Sequence, residues 1–130
     1  MERATNRPWF AIVWFVIWGL FQAYAVTSVF AGTWRKPEAF PEEAYFNLIY
    51  PDMFFIPLYL LTAGLLLRRH WLGSILAFFA GGGIIYVMIY LFALSGISGA
   101  VNLIADGIFL LCTLISLWQV CYHCSFRKPV

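Results

Sequence analysis

The chain has 130 residues, 63% of them hydrophobic and only 11% charged, whereas a water-soluble domain is usually about 25% charged. So short a soluble protein has too little interior to hide this apolar load, because small domains bury the smallest fraction of their surface, and the excess has to face lipid. The net charge of +2 comes from basic residues spread over the segments flanking the apolar runs, so no nucleic-acid footprint is present.

The first apolar run extends from Trp9 to about Ala31, long enough for a hydrocarbon core of roughly 30 Å. Arg3 and Arg7 precede it, as in a signal peptide, but a signal's apolar part is typically about 7–15 residues, so a retained helix is expected. Residues 32–40 form the first loop. Pro41, Glu42 and Glu43 mark a helix start: proline is favoured at the first helical position and acids there complement the helix dipole. The second helix is expected over about 41–67. Pro51 and Pro57 lie inside it, and each removes a backbone donor and invites a kink. A short interfacial helix to Tyr50, followed by a membrane helix from Pro51, fits the sequence equally well.

Arg68, Arg69 and His70 make a very short turn, so helices two and three are antiparallel neighbours. The third helix is expected over 71–94, the Gly/Ser turn over 95–99 and the fourth helix over 100–122. The whole chain, 1–130, thus reads as one all-α domain, a four-helix membrane bundle. Arg3, Arg7, Arg68, Arg69, Arg127 and Lys128 fall on one side, and only Arg35 and Lys36 on the other. By the excess of basic residues in cytoplasmic loops, both termini are expected in the cytoplasm and the protein in the plasma membrane.

With that topology the most polar side chains of all four helices gather in the outer leaflet: Gln22 on the first, Asp52 on the second, Tyr86 and Tyr90 on the third, Asn102 and Asp106 on the fourth. Asn102, Asp106, Phe109, Thr113 and Ser116 recur at spacings of four and three, which is one helix face, and Asp52, Ile56, Tyr59 and Ala63 form another. If these faces point inward, the acids, amides and phenols Asp52, Asp106, Asn102, Tyr86, Tyr90, Gln22 and Tyr59 line a space open to the outside. A charge at mid-membrane costs about 2.5–3.5 kcal/mol on insertion scales, so the two aspartates need water, hydrogen bonds or a proton. The bland readings are an N-cap for Asp52, worth about 1 kcal/mol, and an interhelical hydrogen bond for Asp106.

Cys121, His123 and Cys124, with His70 on the same side, are the one set with metal-like spacing, since two thiolates three apart can share a metal. The signal is weak because a second Cys-x-x-Cys is missing, and free thiols at a helix end are the simpler expectation. Cys112 reads as a small apolar filler. Gly73, Ala77, Ala80 and Gly81 make a small-residue ridge on the third helix that permits close helix approach in lipid. No nucleophile–base pair and no phosphate loop appear, and no cofactor is called for.

Three classes of function remain. One is an outward-facing acidic and aromatic pocket that binds or transports a cationic or lipophilic small molecule; transport by so small a bundle calls for a homodimer. The second is a non-catalytic accessory or assembly subunit of a larger membrane complex. The third is an integral-membrane enzyme on a lipid-like substrate, with one aspartate as general acid and the other as general base. Membrane lipids are partners in each case.

Overall fold

The computed structural model describes residues 7–32, 42–98 and 100–124, with the side chains at 42–48, 91, 94–98 and 100–103 outside that description. It contains four helices: α1 (Trp9–Phe30), α2 (Glu42–Leu67), α3 (Trp71–Ser98) and α4 (Ala100–His123). Each holds an apolar stretch long enough to cross a membrane, at Trp9–Phe30, Ile49–Leu67, Trp71–Tyr90 and Ile104–His123. The protein is therefore all-helical and suited to membrane embedding.

α2 is one helix across both Pro51 and Pro57, which removes the reading of two separate pieces. α3 runs four residues past the expected end, through Ser95 and Gly96 to Ser98, leaving only Gly99 between it and α4. In lipid a backbone has no water to pair with, so continuing the helix outweighs the weak helix propensity of Ser and Gly.

The helices form a closed ring in which α1 packs on α2, α2 on α3, α3 on α4 and α4 back on α1. Among the described residues the backbones of the diagonal pairs, α1 with α3 and α2 with α4, do not come close to one another. The short turns force this up-and-down order. The core runs along the ring's axis through Ala11, Phe15 and Trp18 of α1, Tyr59, Ala63 and Leu66 of α2, Ala77, Ala80, Ile84 and Met88 of α3, and Val120 of α4. The remaining helix faces are apolar and exposed, as lipid requires.

The small residues of α3 set how close its neighbours come. A side chain at Gly73 would meet the backbone of Leu65 and Leu66 at 2.9 Å, and one at Gly81 would meet Leu117 at 2.7 Å. Gly73, Ala77, Ala80 and Gly81 are all buried, so the ridge is a packing surface.

The α2–α3 turn closes tightly. Arg69 adopts a left-handed backbone, φ 57°; its N–H donates to the Leu66 carbonyl at 3.1 Å and that of His70 to Leu65 at 2.9 Å. This is the double-bonded helix ending usually built on glycine. The His70 Nδ1 then accepts the Leu72 N–H at 3.2 Å, capping α3, and the Arg7 Nε donates to the Leu67 carbonyl at 3.0 Å.

Candidate functional site

Polar groups inside the bundle divide into two halves with different chemistry. In the half nearer Arg7, polar side chains join helices or bond back to their own. The Gln119 Oε1 of α4 accepts the Ala11 N–H at 2.9 Å, satisfying an orphan donor in the first turn of α1. The Trp14 indole donates to the Thr113 hydroxyl at 3.1 Å, and Thr113 donates in turn to the Phe109 carbonyl at 2.9 Å. The Thr62 and Ser116 hydroxyls donate to carbonyls one turn back, at 2.7 and 2.8 Å. Such local bonds hide a hydroxyl within its own helix.

The other half holds the sequence-derived cluster. Along α2, Asp52 and Ile56 are half-buried and Tyr59 and Ala63 buried; along α4, Asp106 and Phe109 are half-buried and Thr113 and Ser116 buried. Both stripes therefore turn inward, and both carry their acid towards the end of the bundle away from Arg7. Gln22 of α1 is buried at the same end, only 8% exposed. The Tyr59 hydroxyl has the Asp52 carboxylate and the Trp18 indole as electrostatic neighbours, while the buried Trp18 Nε1 makes no hydrogen bond of good geometry.

Not every residue of the expected lining is brought there. Asp52 and Asp106 ride on α2 and α4, which are not packed neighbours in the ring, so the two acids do not share a helix seam. Tyr90 is half-buried, but Tyr86 is 71% exposed and points out of the bundle. Four residues of α-helix rotate by about 400°, some 40° past a full circle, so two tyrosines at that spacing on the edge of a face separate into one inside and one outside. The Asn102 side chain lies outside the described residues.

An aromatic layer packs where the two halves meet. Trp18 meets Phe109 edge-on with centroids 5.3 Å apart, and Trp14 and Phe21 lie 6.1 and 6.3 Å from the same Phe109 ring. On the α2 side Phe55 and Tyr59 are 5.8 Å apart, and Tyr59 stacks on Phe15 at 6.4 Å. Sequence reasoning missed Trp18 as part of the lining, although Trp14, Trp18 and Phe21 share a helix face by their spacing of four and three.

At the opposite end, His70, Cys121, His123 and Cys124 do not converge. Among the described residues no three His, Cys, Asp or Glu side chains come together as a metal set. His70 is occupied in capping α3. Cys121 faces outward and all three cysteines are free thiols. Cys124 turns inward beside Ser74; burial pushes its thiol above the ordinary range, and a hydrogen bond with Ser74 partly offsets this. On a helix, residues three apart share a face only loosely, and here one thiol points to the core and one away from it.

Comparison with protein-family models, with curated proteins and with solved structures finds no match to this chain.

Proposed function

We propose that the protein binds a cationic or lipophilic small molecule in the half of the bundle that carries Asp52 and Asp106. One observation carries this reading: two carboxylates are half-buried within membrane-spanning helices, yet the sequence has no Lys or Arg from 8 to 34, from 37 to 67 or from 70 to 126. Both acids lie about one turn inside their apolar spans, at the end away from Arg7. A carboxylate there costs less than at mid-membrane but still favours compensation, and a bound cation supplies it. The aromatic layer of Trp18, Phe109 and Tyr59 suits the same guest, since ring faces attract cations by about 2 kcal/mol once water is excluded. A bend of α2 at Pro51 and Pro57 belongs to this reading. So does a topology with both termini in the cytoplasm of a plasma-membrane protein, which opens the acidic half outward. Transport, as opposed to binding, needs a homodimer.

The test is thermal unfolding of the purified protein against a panel of quaternary ammonium and aromatic amine cations. A stabilising compound is expected, with its effect lost in Asp52→Asn and in Asp106→Asn. If no cation on the panel shifts the unfolding of the native protein, the reading fails.

Tyr86 favours a second reading, an accessory subunit of a larger membrane assembly. Its phenol is 71% exposed within the apolar stretch Trp71–Tyr90, where lipid tails offer its hydroxyl no acceptor and a partner's side chain would. Purification from native membranes in mild detergent should then recover a stoichiometric partner that Tyr86→Phe weakens. Recovery of the protein alone would remove this reading.

A further inference from the structure

The end of the bundle opposite the two aspartates carries a concentration of positive charge that the ligand reading does not use. Arg7, Arg68 and Arg69 are all exposed there, and the described acids, Asp52 and Asp106, belong to the other end. The hydrogen bond from Arg7 to the Leu67 carbonyl places this guanidinium against the residue preceding Arg68, so α1 and the α2–α3 turn present their arginines together. That bond uses Nε, and a guanidinium has four further N–H donors in a planar fork that matches phosphate oxygens.

The helix dipoles add nothing net here, because the N-termini of α1 and α3 lie beside the C-termini of α2 and α4, so the positive potential is that of the arginines. Directly beyond the arginines the surface becomes apolar: Trp9, Phe10 and Val13 on α1 and Leu67, Leu61 and Leu60 on α2 are exposed. The Arg7 guanidinium itself lies 5.9 Å from the Trp9 ring centroid, at the boundary where tryptophan favours the headgroup layer.

We infer that this end is a binding site for an anionic phospholipid, whose phosphate is held by Arg7 and Arg68 while its acyl chains lie along the apolar flanks of α1 and α2. A soluble phosphate would meet the same arginines but gain nothing from the exposed side chains beneath them. The lipid is therefore the occupant that uses both parts of the surface. Basic groups at a membrane surface strengthen binding of anionic lipid by roughly fivefold each.

Native mass spectrometry of the purified protein, equilibrated with equal amounts of phosphatidylglycerol and phosphatidylcholine, tests this. The native protein is expected to retain phosphatidylglycerol selectively, Arg68→Gln to lose about fivefold of that selectivity and Arg68→Lys to keep most of it. Arg7→Gln should add a similar loss. Because it also removes the bond to Leu67, Arg68→Gln, whose folding is checked by its helical circular dichroism, carries the result if the Arg7 variant unfolds. Arg35→Gln with Lys36→Gln, which removes as much charge from the first loop, should leave selectivity intact. Equal retention of the two lipids, unchanged selectivity in Arg68→Gln, or equal loss in the first-loop variant would overturn the inference. So would glycerol phosphate displacing the lipid at equal concentration, which would make this a soluble-anion site.

Discussion

Arg69 holds a left-handed backbone that costs an L-residue about 1–2 kcal/mol, and the double-bonded turn around it keeps that conformation. Arg69→Gly relieves the cost and is expected to raise stability by about 1 kcal/mol, read as a higher unfolding midpoint in a denaturing-detergent titration; a lower midpoint would show that the arginine's own contacts matter more. The thiols offer a second check at this scale. With the Cys124 thiol pushed up by burial, less of it is thiolate at any given pH, and the thiolate is the reacting form. Maleimide labelling of Cys124 should therefore be slower than that of the exposed Cys121, and its rate should climb on the alkaline side of an ordinary thiol's curve. Equal rates at pH 7 would contradict the inward placement. The sequence showed the Cys-x-x-Cys spacing but not which thiol faces the core, because that depends on how α4 is rotated against α3.

At the level of helices, contact distance decides what a glycine does. A methyl group at Gly73 collides with the backbone of α2, whereas Gly64 has open space around its missing side chain. Gly73→Ala should destabilise by about 1–3 kcal/mol as an overpacking change, and Gly64→Ala should stabilise by up to about 1 kcal/mol through helix propensity. Comparing the two unfolding midpoints tests the helix pairing directly, since both are the same chemical change. The helices themselves were legible: lipid demands long apolar runs, and those at Trp9–Phe30 and Trp71–Tyr90 stand out from composition alone. The end of α3 was not, because Ser95, Gly96 and Ser98 resemble a turn unless the absence of competing water is weighed. The inward stripes of α2 and α4 were readable from spacing, while Tyr86 was not separable from Tyr90 without the neighbouring helices.

For the molecule as a whole, the seam between α1 and α4 closes the ring, and it is held by side-chain bonds that sequence gave no means to pair. Gln119 and Ala11 are 108 positions apart, and Trp14 and Thr113 are 99 apart. Gln119→Ala leaves a helix-end donor unpartnered and should cost about 1 kcal/mol, with Trp14→Phe costing about 0.6 kcal/mol, the average of interhelical polar bonds in membranes. Measured as a double-mutant pair, the two losses should nearly add, because the bonds share no partner; strong coupling would mean the seam shifts as a unit. The same ring explains why the two acids were readable as inward-facing but not as neighbours: spacing reports a face, and only the order of helices around the axis reports the diagonal.

That order has a consequence for how the protein is made. Ribosomes deliver α1 first and α4 last, so one flank of the earliest helix waits in the bilayer for the final one, its indole and amide hydrogens meanwhile without their eventual acceptors. A nascent chain halted before residue 100 would be an open three-helix crescent, prone to borrow a fourth helix from another copy. Supplying α4 as a separate peptide should then complete such a fragment in trans.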